Sequence, residues 1–331
     1  MIVIEYLVLF ISLLILFFIY NKLAVIYNIV DVPNIRSSHS QITIRGGGII
    51  FTISILLWFI KSGFQYPWFI TGLIVISIIS FLDDLFQISF QNRLIVHLLS
   101  LSLLCIQLEL YQYQWWIWIP VLIVLTGIIN AFNFMDGING ITGGYSLAVL
   151  LGLWIVNNFQ VTFVANELIY YITLAVVIFN YFNFRKKARC FAGDVGSISI
   201  AYIIVFLLAK LILQTGNFLY LLFLAVYGVD TLYTIIFRLT QKENIFEPHR
   251  KHLYQLLANE YKISHTHISI IYSVVQIIIS LIIIIISFRN LSLTNSLTIG
   301  LILLLIMTLV FHFARVYIHK KDNYLHNVST N

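Results

Sequence analysis

Charged residues are scarce in this 331-residue sequence: Asp, Glu, Lys and Arg together make up 10% of it, whereas 60% is hydrophobic. A soluble chain carries about 25% charged residues, so this composition excludes an ordinary soluble protein. The sequence also lacks an internal repeat, a low-complexity tract and a polar stretch long enough for a separate soluble domain. It therefore predicts a single polytopic membrane domain over residues 1–331.

Cysteines are also few, since there are only two. Cys105 falls in an apolar run and Cys190 in a polar loop, so we expect them not to form a disulfide. Two cysteines without metal-type spacing exclude a cysteine-based metal centre.

Long apolar runs, by contrast, are abundant. A membrane-spanning helix needs about 20 apolar residues, and lipid leaves only helices or a closed barrel able to pair their own backbone groups. Runs such as Leu281–Phe288 are continuous rather than alternating, which favours helices. We predict an all-α integral membrane protein with about eleven spans, near residues 3–20, 47–60, 68–82, 94–108, 115–134, 141–156, 168–184, 198–213, 217–238, 268–288 and 296–318. The first run has no basic start and no cleavage signature, so we expect a retained span rather than a signal peptide.

The basic residues predict the orientation of these spans. With the N-terminus outside and the C-terminus in the cytoplasm, sixteen Lys and Arg residues fall in inside segments and only Lys61 and Arg289 in outside ones. Such an excess is the positive-inside signal of a cytoplasmic membrane protein. The sixteen are Lys22, Arg36, Arg45, Arg93, Arg185, Lys186, Lys187, Arg189, Arg238, Lys242, Arg250, Lys251, Lys262, Arg315, Lys320 and Lys321.

Several acids lie at the predicted cytoplasmic ends of spans. Asp83 and Asp84 directly follow the apolar run Trp68–Leu82. Two adjacent carboxylates at membrane depth repel each other and lose hydration, so they need a cation or another positive group nearby. The alternative is a helix end that reaches the headgroup zone. Asp230, inside the ninth span, could pair with Arg238 or serve a site, and the sequence leaves both open.

A second polar group ends the fifth span. Asn130 and Asn133 lie one turn apart on one helix face, and Asp136 follows beside Gly137 and Gly140. Amides and a carboxylate that end an apolar helix cost free energy unless they bind something. The alternative is a capped helix–loop–helix.

A turn of the form Gly-Asp-x-Gly-Ser precedes the eighth span, with Asp194 as its acid. Backbone N–H groups at a helix N-terminus can hold a phosphate, and the carboxylate can hold a divalent cation. The alternative is an ordinary N-cap formed by Asp194 or Ser197.

Basic and histidine side chains supply the last two groups. Pro248 is followed by His249, Arg250, Lys251 and His252. We expect Pro248 to start a helical turn that places both histidines on one face. This is a donor set for phosphate oxygens, and the spacing does not match a zinc motif. A lipid-headgroup patch is the alternative. Earlier in the chain, Arg36, His39, Thr43 and Arg45 precede three glycines that allow close backbone approach.

The predicted topology puts all five groups on the cytoplasmic face. Carboxylates, amides, a glycine-rich turn, histidines and arginines are the side chains used in Mg²⁺-assisted phosphoryl transfer. Convergence of five separate segments is stronger evidence for a site than any single motif, so we expect one active site there.

With these motifs in the same order, the chain resembles the polyprenyl-phosphate N-acetylhexosamine-1-phosphate transferases, also called glycosyltransferase family 4. The resemblance runs from about Arg36 to Gln255, and its form His-Arg-Lys-His-Leu-Tyr-Gln is most similar to the O-antigen initiating branch. It implies a bacterial inner-membrane enzyme that transfers an N-acetylsugar-1-phosphate from a UDP-N-acetylsugar to undecaprenyl phosphate and releases UMP. It further implies Mg²⁺, for which Mn²⁺ can substitute, membrane lipids as partners, a homodimer as one possible assembly, and no nucleic acid.

The resemblance also implies roles for individual residues. Asp194 corresponds to the metal-binding aspartate, and Asp83, Asp84 and Asp136 correspond to catalytic positions. The residues implied to bind substrate are Asn133, His249, Arg250, His252, His39, Thr43 and Asn183. Where the family often has a second acid, this chain has Asn139, which can neither act as a base nor carry charge.

Other functions fit this sequence less well. A transporter of polyprenyl-linked substrates would place polar residues near the bilayer midplane in repeated halves, and no repeat is present. A non-catalytic lipid-binding scaffold would not need paired acids. Within the enzyme class, the alternative is an initiator specific for UDP-GlcNAc that serves teichoic acid or common antigen.

Overall fold

The computed structural model describes residues 2–33, 41–245, 247, 249–289 and 292–329 of the chain. Within these ranges the protein is a helical bundle with one small β-hairpin. Its helices are α1 (Ile2–Ile26), α2 (Ile49–Lys61), α3 (Pro67–Phe86), α4 (Phe90–Gln107), α5 (Trp118–Met135), α6 (Ile141–Phe159), α7 (Asn166–Asn183), α8 (Gly193–Thr215), α9 (Ala225–Thr240), α10 (Leu253–Asn259), α11 (His265–Ser287) and α12 (Leu293–Ser329). Short 3₁₀ segments lie at Leu110–Gln112, Trp115–Ile117 and Phe218–Leu224.

Eight helical segments of the described chain are long and apolar enough to cross a membrane. The all-α membrane fold predicted from the sequence is therefore supported, and every predicted span coincides with a helix. Three of the predicted spans fall outside the eight. α2 has only 13 residues, whereas α4 and α7 begin with polar turns around Arg93 and Glu167. The count of eleven and the orientation stay predictions.

Helix α8 is the centre of the bundle. Its residues are buried almost without interruption from Gly193 to Leu208, because α2, α3, α5 and α6 pack around it. Helix α11 packs against α6 on one side of this core, whereas most of α1 and α12 is exposed. An apolar helix surface that no other helix covers is expected to face lipid.

A hairpin and a glycine pair fix the start of α8. Strands β1 (Val30–Asp31) and β2 (Thr43–Ile44) are antiparallel, and Ile44 forms a parallel bridge with Cys190. Gly47 and Gly48 then donate backbone hydrogen bonds to the carbonyl oxygens of Phe191 and Ala192, at 2.8 and 3.1 Å. A Cβ atom on Gly48 would collide with the backbone of Gly196. The close approach expected of these glycines is therefore seen.

Cys105 and Cys190 are both buried and both free. The prediction that they do not form a disulfide is confirmed. Because native thiols are shielded, single cysteines introduced at the surface can report on topology.

The orientation can be tested by labelling such cysteines. Lys187→Cys, on an exposed loop at the end of the bundle where α8 begins, is expected to resist an impermeant thiol reagent outside intact cells and to react once the membrane is opened. Gln65→Cys, exposed in the loop between α2 and α3, is expected to react from outside directly. Labelling of Lys187→Cys from outside would invert the predicted topology.

Candidate active site

The first turn of α8 is held by a carboxylate from another helix. Asp84, in the last turn of α3, accepts hydrogen bonds from the backbone N–H groups of Asp194 and Val195 at 2.9 and 3.1 Å. Arg45 Nε lies 2.6 Å from the same carboxylate, whose side chain is fully buried. The cap predicted from Asp194 or Ser197 thus comes from Asp84. All these contacts are internal to the protein and position α8, and a direct catalytic part for Asp84 stays a prediction.

Asp83 points to a different set of partners. Its Oδ1 accepts from the backbone N–H of Ile88 at 2.6 Å, and its Oδ2 lies 2.5 Å from Arg93 Nη1. Arg93 also lies 3.2 Å from Asp194 Oδ2, and Arg45 lies 3.3 Å from Asp194 Oδ1. Two arginines therefore bridge three aspartates that come from two helices 110 residues apart.

From the sequence, Arg93 is assigned only to the predicted topology. A signal for its role was present, because Arg93 follows Asp83 by ten residues across a short turn between α3 and α4. Such a turn returns the chain to the same end of the bundle. Arg45 shows the electrostatics of the site: burial alone would lower its pKa, yet the charges of Asp84 and Asp194 raise the pKa above its ordinary value.

Helix α5 contributes the two amides that were expected on one face. Asn133 Nδ2 donates to Asp194 Oδ2 at 3.4 Å, and Asn130 Nδ2 donates to the carbonyl of Thr126 at 2.9 Å. Both line the cavity described below. Asn133 is thus brought to Asp194, in line with the expected convergence of their two segments.

Asp136 ends α5 as its C-cap residue. Thr142 Oγ1 donates to Asp136 Oδ1 at 2.5 Å. Burial is the main cause that raises the pKa of Asp136 to about 8. The hydrogen bond from Thr142 lowers this pKa, whereas the negative charges of Asp194 and Asp84 raise it further. The carboxyl group is therefore largely protonated at neutral pH, and it does not line the cavity.

His252 forms a buried pair with Asp230. His252 Nδ1 lies 3.3 Å from Asp230 Oδ1, and the two side chains are 3% and 1% exposed. Asp230 also accepts from the backbone N–H of Leu253 at 3.0 Å and from the Tyr272 hydroxyl at 2.7 Å. The sequence left open whether Asp230 pairs with Arg238 or serves a site. In the structure it pairs with His252, which lines the cavity described below, and not with Arg238.

Arg238 instead holds the histidine loop. Its guanidinium lies 3.1 Å from Glu243 Oε2 and donates to the carbonyls of Asn244, Ile245 and Glu247. Lys251 pairs with the same Glu243. Arg238, which is only 3% exposed, therefore fixes the loop that contains His249.

The two histidines do not share a helix face as expected. α10 begins only at Leu253, with His252 as its N-cap in a capping box with Gln255. Their rings nevertheless lie 5.0 Å apart between centroids. Burial, followed by neighbouring cationic groups, lowers the pKa of His249 to about 4, so this ring is neutral at neutral pH. Pro248 lies outside the described residues.

These groups surround one cavity of about 720 Å³ at the end of the bundle where α8 begins. Four residues predicted from the sequence line it, namely Asn133, Asp194, His249 and His252. Arg45 and Asn130, which belong to the same predicted groups, also line it. The rest of the wall consists of side chains not predicted for a site: Phe90, Arg93, Leu94, His97, Phe134, Ile245, Glu247 and Gln255. The lining combines positive, acidic and amide groups, which suits a polyanionic ligand with a cation.

Other predicted residues lie away from this lining. Asn183 donates to the carbonyl of Cys190 at 2.8 Å and accepts from the backbone N–H of Gly140 at 2.7 Å, so it joins two loops. Thr43 is buried in β2, where its hydroxyl donates to the carbonyl of Gln41 at 3.1 Å. Arg250 is half-buried beside His249. His39 lies outside the described residues. Substrate contacts from these four stay predictions.

Asn139 has a structural use that an aspartate could not provide. Its Nδ2 donates to the carbonyls of Arg185 and Lys186 at 2.9 and 3.2 Å. The side chain is 5% exposed. A carboxylate here would set oxygen against oxygen, because an ionised acid can only accept hydrogen bonds. The departure from the family pattern is thus explained locally.

Replacing Asn139 with aspartate is expected to destabilise the protein by about 1–3 kcal/mol, the cost of leaving buried carbonyls unpaired. The measurement is the thermal midpoint of the purified protein in detergent. Asn158→Asp is the matched control, because that amide is exposed and its variant is expected to melt like the wild type. Equal midpoints for both variants would contradict the structural use of Asn139.

A magnesium ion is compatible with this donor set. Among the described residues, no three or more His, Cys, Asp or Glu side chains are grouped as a metal cage. Mg²⁺ does not need one, since it commonly binds one or two carboxylates together with water and substrate phosphates. Asp194, with 16% of its side chain exposed at the cavity, supplies such a carboxylate, and Asp83 is linked to it through Arg93.

Comparison with known proteins agrees with this geometry. A sequence model described as glycosyl transferase family 4 matches residues 66–212. The chain is 26% identical over 282 residues, 77% of each chain, to a probable undecaprenyl-phosphate N-acetylglucosaminyl 1-phosphate transferase of Bacillus subtilis. Undecaprenyl-phosphate alpha-N-acetylglucosaminyl 1-phosphate transferases of Yersinia pestis and Thermotoga maritima are 25% and 26% identical, covering 72% and 70% of this chain and 72% and 73% of theirs. These matches support the family that the motifs suggested.

Proposed function

We propose that this chain is a membrane transferase of glycosyl transferase family 4, which moves an N-acetylsugar-1-phosphate from a UDP-N-acetylsugar to undecaprenyl phosphate and releases UMP. The observation that carries the proposal is the convergence of Asp194, Arg45, Arg93 and the His249–His252 pair around one cavity. Asp83 lies behind this wall, paired with Arg93. Both substrates are phosphate anions, and a site for them needs cationic and hydrogen-bonding groups close together.

In the net reaction, an oxygen of the lipid phosphate bonds to the sugar-bearing phosphorus, and the bond from that phosphorus to UMP breaks. Arg45 and Arg93 supply fixed positive charge beside the reacting phosphates, and His249 contributes a neutral hydrogen-bonding ring. Asn133 positions the Asp194 carboxylate. Mg²⁺, when bound through Asp194, adds charge neutralisation. The protein thus contributes mainly orientation and electrostatic stabilisation.

An apolar groove farther along the bundle from the cavity supports a polyprenyl substrate. It encloses about 280 Å³ between α5 and α8, and all of its lining residues are apolar. On α5 the lining runs over Pro120, Val121, Val124, Leu125 and Ile128, and the same helix reaches the cavity at Asn130 and Asn133. A lipid with its phosphate in the cavity can therefore place part of its chain in this groove.

Filling the groove is expected to weaken binding of the long-chain lipid. Val124→Trp, at a groove position that is 49% exposed, is expected to raise the KM for undecaprenyl phosphate by about tenfold, as expected from losing about 1.4 kcal/mol of apolar contact. The rate with a short-chain polyprenyl phosphate should not change. Ile123→Trp is the matched control, since Ile123 is next to Val124 in sequence and is also exposed but does not line the groove. Equal effects of the two variants would exclude the groove as a lipid site.

The sugar is proposed to be N-acetylglucosamine, because the named relatives act on it. Initiation of an O-antigen remains the pathway favoured by the histidine motif, with teichoic acid or common antigen as the alternatives. The test is UMP release by the purified protein with undecaprenyl phosphate, Mg²⁺ and a panel of UDP-sugars. We expect turnover with UDP-GlcNAc above that with UDP-GalNAc and UDP-glucose. No UMP release with any sugar would refute the proposed activity.

A further inference from the structure

We propose that Asp230 is a positioning residue, which fixes the His252 imidazole so that Nε2 faces the cavity and binds a phosphate oxygen of the UDP-sugar. The identity of the ligand rests on the proposed function. The Asp230–His252 arrangement itself rests on the contacts of these two side chains and can be tested without turnover.

The Asp230 carboxylate is buried and surrounded by hydrogen-bond donors. Four donors surround it: the Leu253 N–H, the Tyr272 hydroxyl, the Thr234 hydroxyl at 3.3 Å and His252 Nδ1. A carboxylate in an apolar helix bundle is retained only with such compensation. Because an ionised carboxylate only accepts hydrogen bonds, the contact requires a proton on His252 Nδ1.

The other nitrogen of the ring is left for a ligand. Within the described residues, His252 Nε2 is buried and has no hydrogen-bond partner. His252 lines the cavity, and the rings of His249, Phe134 and Tyr254 surround it at 5.0, 6.3 and 5.9 Å between centroids. Phosphate oxygens accept hydrogen bonds, so a phosphate in the cavity would pair with Nε2 when that nitrogen also carries a proton. If Nε2 carries a proton there, the Asp230 carboxylate stabilises the positive ring.

Asp230 also controls the backbone at this point. The Leu253 N–H that it accepts is the first of α10, and His252 is the N-cap of that helix. The Asp230 carboxylate on α9 therefore fixes both the orientation of the His252 ring and the position of the first residue of α10. Displacement of a binding group by 1 Å can cost about 100-fold in rate, so loss of this anchor should be visible in kinetics.

A double-mutant cycle tests whether Asp230 acts through His252. We expect Asp230→Asn to lower kcat/KM by about 10–100-fold and His252→Gln by about 100-fold, with the double variant within about threefold of His252→Gln alone. The KM for the UDP-sugar should rise, while that for undecaprenyl phosphate stays within twofold. Multiplicative losses in the double variant would overturn the proposal. Tyr145→Phe, which removes another buried hydroxyl contact between helices, is expected to stay within threefold of wild type.

A second measurement is independent of activity. Nitrogen NMR of the histidine-labelled full-length protein in detergent, with His252 assigned by its loss in His252→Gln, reports which ring nitrogen carries a proton. We expect Nδ1 of His252 to be protonated in the wild type and the Nε2-protonated neutral form to appear in Asp230→Asn. An unprotonated Nδ1 in the wild type, or an unchanged spectrum in the variant, would overturn the proposal. Absence of turnover together with the expected spectra would refute the proposed function alone.

Discussion

Chelation of divalent cations with EDTA is expected to abolish UMP release, and addition of Mg²⁺ or Mn²⁺ is expected to restore it. Two phosphate anions must approach each other in this site, and a metal contributes several kcal/mol of charge stabilisation to such a step. Since each 1.36 kcal/mol is tenfold in rate, the loss should reach at least about 100-fold. Full turnover in EDTA would exclude metal-assisted transfer.

The same prediction can be assigned to a residue. Asp194→Asn is expected to lower turnover by about 100-fold or more and to raise the Mg²⁺ concentration needed for half-maximal rate. Its carboxylate lies where Arg45, Arg93 and Asn133 meet. Glu109→Gln is the matched control, because that acid is exposed just after the end of α4, whereas Arg93 and His97 lie near the beginning of that helix, and it does not line the cavity. A similar Mg²⁺ dependence in Asp194→Asn and wild type would place the metal elsewhere.

Composition and motif order predicted the fold class and the location of the site, but not the local contacts of its residues. The all-α membrane fold followed from continuous apolar runs, because lipid permits few alternatives. The gathering of Asn133, Asp194, His249 and His252 followed from placing their segments at one end of the bundle. The location of the site could be predicted because it depends only on where the helices end in the sequence.

The sequence could not predict which partner each of two neighbouring polar residues contacts. Asp83 and Asp84 are adjacent, yet one meets Arg93 and the other caps α8 from a distance of 110 residues. Helix rotation decides which side chain faces which partner, and apolar runs without a polar face do not specify rotation. For the same reason the sequence left open whether Asp230 pairs with Arg238 or serves a site. Its pairing with His252 depends on how α9 and the loop before α10 meet.

Asp83→Asn is expected to lower turnover by about 100-fold or more, the range found when a general base or an electrostatic group is removed. Thermal stability should change little. The amide oxygen can still accept from the Ile88 N–H, and Arg93 keeps Asp194 as a partner. The measurement combines UMP release with the thermal midpoint in detergent.

Asp84→Asn provides the contrast that separates chemistry from architecture. It removes one member of a buried ion pair with Arg45 and turns an amide toward the N–H groups of Asp194 and Val195. Because each carboxylate oxygen accepts one of these N–H groups, the amide leaves one of them without an acceptor, at a cost of about 1–3 kcal/mol, so the thermal midpoint should fall along with activity. Near wild-type turnover in Asp83→Asn would show that this carboxylate only ends α3. An unchanged midpoint in Asp84→Asn would show that the buried pair does not hold α8, and with it the position of Asp194, in place.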